Sequence, residues 1–166
     1  AFNRDRNKFD LNINEEGFLE DEANTLTLKI EKDVNLGNGL ITYIYGDSSY
    51  EQESIGDIDG TPAFIFHAPQ ELKNDISSHE IRYNGSFENF DVLIGYSTFE
   101  NDLMFHEMRI LPNTLGGTEW NGGGTQKIES TAFFATIERP LSEKLTLDVG
   151  VRVTCLLYTS PSPRDS

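Results

Sequence analysis

Apolar and polar residues alternate one by one in six stretches of this chain. Such a period of two places apolar side chains on one face of a strand and polar side chains on the other. In the clearest stretch, residues 145–154, every second residue is apolar: Leu145, Leu147, Val149, Val151 and Val153. The alternation predicts strands near residues 24–33, 40–50, 77–88, 90–100, 127–137 and 145–154. An all-β fold follows from this pattern.

The connections between these strands alternate in length. Short turns near residues 35–39, 88–89 and 138–144 alternate with long loops at residues 1–23, 51–76 and 101–126. Pro140 lacks the N–H that a central ladder needs, so we expect the chain to reverse around it. All the long loops then fall at one end of the sheet, which predicts an antiparallel up-and-down meander of about six strands.

One turn has two possible positions. Asn84 followed by Gly85 is a strong hairpin signal and favours a turn at that pair. The alternation nevertheless continues through both residues, so we place the turn at Glu88 and Asn89 instead.

Alternation shows that the two faces differ, but it leaves open which face meets water. A soluble β-barrel or β-sandwich that binds ligands turns its apolar face inward, whereas a membrane barrel turns it toward lipid. Long loops on one side and aromatic residues near strand ends, such as Phe87 and Tyr96, favour the membrane. The lipid-facing side of strands 40–50 and 127–137 stays open, because both of their faces carry apolar residues.

Residues 131–154 resemble a hairpin from the barrel of TonB-dependent outer-membrane receptors. Strands of that family often end in Gly-x-Arg-x-Thr, which is matched here by Gly150, Arg152 and Thr154. The resemblance implies a segment of a larger transmembrane β-barrel in the bacterial outer membrane, with long external loops. It also implies energy-coupled uptake of a scarce nutrient such as a ferric siderophore, with outer-membrane lipid, the nutrient and an inner-membrane energy-coupling complex as partners. A passive porin is the alternative within the same architecture.

Composition narrows these possibilities. The formal charge of -15 argues against nucleic acid as a partner, because clusters of Lys and Arg are missing. A chain of 166 residues is too short for a whole receptor, so we expect residues 1–154 to be a partial barrel. Six strands leave two unpaired sheet edges, and we expect this segment not to fold stably by itself.

The last residues, 155–166, have a different origin in our interpretation. The peptide that begins at Cys155, CLLYTSPSPRD, matches the translation of a sequencing-library adapter word for word. We therefore interpret residues 155–166 as a non-native tail and expect no structure there.

The sequence offers few candidates for chemistry. His106 precedes Glu107, but the second His of a zinc-protease motif is absent, and Asp57 and Asp59 fit an Asx turn better than a calcium loop. No nucleophile–base pair and no set of metal ligands emerges, so we predict a non-enzyme without a cofactor or metal. The candidate ligand-binding residues in the long loops are Trp120, His106 and His67.

Overall fold

The structure is a computed structural model that describes residues 13–112, 117 and 119–159. Its main elements are six strands and one short 3₁₀ turn at Leu36–Asn38. The strands are β1 (Phe18–Val34), β2 (Gly39–Ile55), β3 (Gln70–Ser86), β4 (Asp91–Ile110), β5 (Glu119–Ser142) and β6 (Leu145–Thr159).

All six strands form one antiparallel sheet in which each strand pairs with its neighbours in sequence. The sheet is open: β1 and β6 form its two edges, and each of them pairs on one side only. The prediction of an all-β, up-and-down meander is therefore confirmed. The three short turns, between β1 and β2, between β3 and β4 and between β5 and β6, hold four residues or fewer and lie at one end of the sheet.

The strands are longer than predicted, and the predicted loops at residues 51–76 and 101–126 are wrong over much of their length. β2 continues to Ile55, β3 begins at Gln70, and β4 and β5 stay paired as far as Ile110 and Glu119. In the extension of β2 polar residues occupy both faces, and in the extension of β4 apolar residues occupy both, such as Leu103 and Met104, so alternation fades although the backbone ladder continues. Of the first predicted loop, residues 1–12 lie outside the described residues, and β1 takes up the part from Phe18.

The second short turn lies at residues 87–90, which agrees with a turn at Glu88 and Asn89. The Phe87 N–H donates to the carbonyl of Phe90 at 2.9 Å, and the two rings stack with centroids 4.8 Å apart. Gly85 stays in β3, where the Tyr83 side chain covers it and donates from its hydroxyl to the Leu36 carbonyl at 2.6 Å. A glycine inside a strand often marks such a close approach.

The prediction for Pro140 is wrong. β5 continues through Pro140 to Ser142, and only residues 143 and 144 form the turn. Pro140 lies opposite Thr146, next to a register shift between Pro140 and Ser142. The pairing of β4 with β5 ends at Glu138, so Pro140 has a strand on one side only and its missing N–H interrupts no central ladder.

The expectation of no structure after Thr154 is also wrong for residues 155–159. They extend β6 and pair with β5, Cys155 opposite Thr131 and Thr159 opposite Lys127. Leu156, Leu157 and Tyr158 are apolar or aromatic residues that suit a strand, and β5 offers them an unpaired edge. Residues 160–166 lie outside the described part of the chain.

Candidate functional site

The register of the sheet sorts its side chains onto two faces. We call the side that carries Val153 the band face and the other side, which carries Arg152, the opposite face. One cross-strand row on the band face runs through all six strands and is apolar throughout: Ile30, Tyr43, Ile81, Tyr96, Phe133 and Val153. Tyr43 of β2 and Phe133 of β5 therefore share a face with Ile81.

The rows on either side are mainly apolar but also contain Lys32, His79 and two threonines. They extend the surface, which we call the apolar band. One row consists of Lys32, Ile41, Tyr83, Ile94, Ala135 and Val151, and the other of Leu28, Tyr45, His79, Thr98, Thr131 and Cys155. A fourth, shorter row contains Val92, Ile137 and Val149. Rows on one face are two residues apart, so four rows cover about 20 Å along the strands.

The apolar band is exposed. Phe133 is 63% exposed, Val153 67% and Ile94 52%, although such side chains normally lie in a core. We call the end of the sheet that carries the β2–β3 and β4–β5 connections the upper end. Toward this end the apolar band stops at charged residues, because the next row of the band face contains Asp47, Glu100 and Glu129. A contiguous apolar surface of this extent on a soluble monomer would be unusual and marks a site of interaction.

Aromatic side chains gather in the last two rows of the apolar band before the charged row. The Tyr43 hydroxyl and the Nδ1 of His79 form a hydrogen bond of 2.8 Å, and the Tyr45 ring lies 5.0 Å from the His79 ring. The rings of Tyr96 and Phe133 are 4.7 Å apart. Amphipathic aromatic side chains are typical of the interface between lipid and water.

Beyond the apolar band the two faces exchange character. The band face becomes acidic, with carboxylates on neighbouring strands at Glu22, Glu51, Asp75 and Asp102. The opposite face becomes apolar over the same height and carries Leu72, Ile76, Phe99, Leu103, Phe105 and Ile128. We call this second surface the upper patch. Sequence reasoning missed it because four of its residues, Leu72, Ile76, Leu103 and Phe105, were assigned to loops.

At the height of the apolar band, the opposite face combines charged residues with apolar ones such as Ile44 and Phe134. Lys29 forms an ion pair with Glu31 at 2.8 Å, and Arg82 with Glu80 at 3.3 Å. Thr42 is buried between these charges and donates from its hydroxyl to Glu31 at 3.4 Å. Over this length of strand, the charged residues other than Lys32 therefore lie on the opposite face.

Trp120 lies in β5 rather than in a loop. It is opposite Arg109 of β4, whose guanidinium sits 5.0 Å from the centre of the indole. Glu107 holds Arg109 through a bond of 2.8 Å from Nε and raises the pKa of that guanidinium. The indole also lies over Gly122, where any Cβ would collide with it. Trp120 is thus packed against its own hairpin and remains 48% exposed on the opposite face.

His67 is buried in the connection between β2 and β3. Its backbone forms a bridge with Ile110, and its Nε2 lies 3.3 Å from the Oδ1 of Asn14. The Phe64 ring packs on the imidazole at 4.6 Å between centroids. His67 therefore packs within this connection and helps to hold its shape.

The two aspartates of the same loop accept local backbone hydrogen bonds, and Asp59 forms the Asx turn that the sequence favours. Asp57 accepts a hydrogen bond from the Gly60 N–H at 2.8 Å, and Asp59 accepts one from the Thr61 N–H at 3.0 Å. The Thr61 hydroxyl also donates to Asp59, and the Phe66 N–H does so at 2.9 Å. These donors, the Thr61 hydroxyl first, lower the pKa of Asp59. Across the described residues, no three His, Cys, Asp or Glu side chains are placed to hold a metal ion.

His106 points away from the other two candidates. It is an exposed residue of β4 on the band face, opposite Glu71 of β3. The structure therefore does not combine Trp120, His106 and His67 into one site. The partner of Trp120 that sequence reasoning missed is Arg109, because both residues were assigned to a loop and no cross-strand pairing was considered.

A scan against protein-family models finds no match to this chain, and a search of curated proteins finds none either. Within residues 13–112, 117 and 119–159, no helix has both the length and the apolar character needed to cross a membrane.

Proposed function

We propose that this chain supplies six membrane-spanning strands of an energy-coupled receptor in the bacterial outer membrane, which takes up a scarce nutrient such as a ferric siderophore. The observation that carries the proposal is the exposed apolar band on one face of the sheet. Its length of about 20 Å is close to the apolar belt of about 25 Å found on outer-membrane barrels.

The exchange of character between the two faces supports lipid rather than a water-covered core. A soluble barrel or sandwich would bury the band face along its whole length. Here the apolar band gives way to a row with Asp47, Glu100 and Glu129 on the same face. A membrane accounts for this limit, because strands that leave the lipid meet water.

The opposite face would line the interior of the barrel. Its ion pairs, Lys29 with Glu31 and Arg82 with Glu80, suit a wet lumen at the height of the membrane. Above them the upper patch and the Trp120–Arg109 pair offer apolar, aromatic and cationic contacts to a nutrient that arrives from outside. The coupling to an inner-membrane complex rests on the family resemblance of residues 131–154.

Val153 and Thr154 provide a matched pair of positions to test the lipid-facing side. They are adjacent in β6, nearly equal in size and on opposite faces. Lysine on the lipid face near the bilayer centre costs about 2–4 kcal/mol, whereas a lumen position tolerates it. We therefore expect Val153→Lys to weaken binding of the full chain to phosphatidylcholine vesicles by about 30-fold or more. Thr154→Lys should have little effect.

Vesicle flotation measures both variants side by side with the parent chain. Equal loss of binding in the two variants, or a larger loss with Thr154→Lys, would contradict the proposed orientation. Circular dichroism in detergent micelles serves as the control that both variants retain β-structure.

The transport function needs a second experiment. Disruption of the encoding gene in the source bacterium should lower the uptake of ferric siderophores, and an uncoupler should abolish the uptake that the parent strain shows. Uptake that persists with the uncoupler would favour a passive porin. Uptake that is unchanged by the disruption would reject a role in siderophore transport.

A further inference from the structure

The opposite face is uncharged directly above the height of the apolar band. Three consecutive rows, which begin in β1 at Thr27, Thr25 and Ala23 and run across the sheet, contain no charged residue among those that the structure describes. We call these three rows the neutral surface. At the same height the band face carries charged groups such as Asp47 and Asp75, and the whole chain has a formal charge of -15. A ligand with a net charge would meet no group of opposite charge on the neutral surface.

The neutral surface offers amides and hydroxyls in place of charges. The Nδ2 of Asn101 donates to the Oδ1 of Asn74 at 2.7 Å, which holds two amide groups side by side on β3 and β4. Further amide and hydroxyl groups surround this pair: Gln126, Ser48, Ser78 and Ser130. Each amide and each hydroxyl can both donate and accept hydrogen bonds. These groups suit a ligand that is rich in hydroxyls and has no net charge.

Aromatic rings follow the same face toward the upper end. Phe99 and Phe105 lie on β4, about 20 Å apart along the strand at roughly 3.3 Å per residue. Trp120 lies about 13 Å beyond Phe105, because its partner Arg109 is four residues further along β4. The faces of aromatic rings carry a partial negative charge, which attracts the C–H groups on the flat side of a sugar ring. The rings therefore form a row along which several linked sugars can stack.

Trp120 and its neighbours combine an open ring with a balanced pair of charges. The indole lies over Gly122, which has no side chain to displace it, and it is 48% exposed. The Nε of Arg109 donates to Glu107 at 2.8 Å, so the two charges compensate each other. The guanidinium has further N–H groups and the carboxylate a further oxygen, which match the donor and acceptor roles of two adjacent sugar hydroxyls. This upper end therefore also suits a neutral saccharide.

We propose that this face binds a neutral oligosaccharide, which stacks on Trp120, Phe105 and Phe99 and bonds through its hydroxyls to the amides of Asn74 and Asn101. The inference rests on the proposed function for the position of the face inside the outer opening of the barrel, and it names neutral saccharides as a class of nutrient that enters there. The site lies on β3, β4 and β5, so strands that continue the sheet beyond β1 and β6 leave it unchanged.

The fluorescence of Trp120 tests binding to the full chain in micelles of a detergent that has no sugar headgroup. The probes are maltohexaose, cellohexaose and xylohexaose, which are neutral and differ in linkage or sugar, and hexagalacturonate, which is anionic and of the same length. At least one neutral probe should change the fluorescence saturably and shield the indole from iodide. Hexagalacturonate should bind about tenfold more weakly or worse, because its carboxylates find no cation on the neutral surface.

Phe105 and Met104 provide matched positions to locate the site. They are adjacent in β4 and lie on the opposite face and the band face respectively. Phe105→Leu removes the ring but keeps an apolar side chain, and it should raise the dissociation constant of the neutral probe about three- to tenfold. Met104→Leu should leave the dissociation constant unchanged. Circular dichroism checks that both variants keep their strands.

The absence of a saturable response to all three neutral probes would overturn the saccharide site. Tighter binding of hexagalacturonate, or an equal loss of affinity in Phe105→Leu and Met104→Leu, would overturn it as well. The vesicle experiment with Val153→Lys uses no saccharide, so the two proposals fail separately. A missing saccharide response together with the expected vesicle binding rejects only this site, whereas a failure of vesicle binding rejects the membrane orientation.

Discussion

The surroundings of Gly85 show which contacts of a single residue the sequence can predict and which it cannot. The sequence identifies Asn84 and Gly85 as a turn signal, yet both lie in β3. The Tyr83 side chain occupies the space that Gly85 leaves open, and its hydroxyl bonds to the Leu36 carbonyl. Sequence alone could not reveal this contact because Tyr83 and Leu36 are brought together only by the pairing of distant strands. The Asx turn at Asp59 was predictable, since it depends on residues close in sequence.

Asp59 gives a prediction of pH dependence. Its pKa is lowered below the ordinary 3.8 by the Thr61 hydroxyl first and by backbone N–H groups in addition. A depressed carboxyl pKa means that the ionised form stabilises the loop above pH 3.8, and that this contribution is lost as the pH falls through the lower folded value. We expect the carboxyl carbon of Asp59, followed by NMR in micelles, to titrate with a midpoint below 3.8.

Thr61→Val removes the hydroxyl and keeps the shape of the side chain. The midpoint of Asp59 should then move upward. A midpoint that is unchanged in Thr61→Val would show that the hydroxyl does not stabilise the carboxylate.

At the level of elements, the sequence predicts the number, order and facing of the strands because alternation records which side is apolar. It does not predict where the strands end. Glu51 and Glu53 of β2 lie on one face, and Gln52 and Ser54 on the other, so no apolar side distinguishes that part of the strand from a loop. Backbone hydrogen bonds to the neighbouring strands lengthen these strands. The sequence of one strand does not show where its neighbour ends.

The Tyr83 hydroxyl connects β3 to the turn between β1 and β2. Tyr83→Phe removes its 2.6 Å bond to the Leu36 carbonyl and should destabilise that turn by about 1 kcal/mol. Hydrogen exchange of the amides in Leu36–Asn38 should become faster, roughly fivefold. Tyr45→Phe is the matched control, because the Tyr45 hydroxyl bonds within its own strand to Asp47 at 3.1 Å. Similar acceleration in both variants would indicate a general loss of stability instead.

For the molecule as a whole, one open sheet leaves the apolar band without a covering layer among the described residues. The sequence predicts this imbalance, since six two-faced strands supply only one layer. The sequence could not predict that the apolar residues above the band lie on the opposite face. This change becomes visible only when the register of the strands places Leu72 opposite Phe105.

We expect the full chain to lack a stable monomeric state in water. Without detergent, light scattering should show large particles, and circular dichroism should show no sharp thermal transition. Micelles that cover the apolar band should suppress the particles. A sharp, cooperative transition of a monomer in water would contradict this expectation and would favour a soluble module.

Trp120 is the only tryptophan of the chain, and it lies in β5 eleven residues before Thr131 at the upper border of the apolar band. At about 3.3 Å per residue, some 35 Å of strand separates the indole from that border. The fluorescence of Trp120 therefore reports how far this end of β5 lies from the lipid. Lipids brominated along their acyl chains should leave its fluorescence intact, whereas a water-borne quencher such as iodide should reach the indole freely.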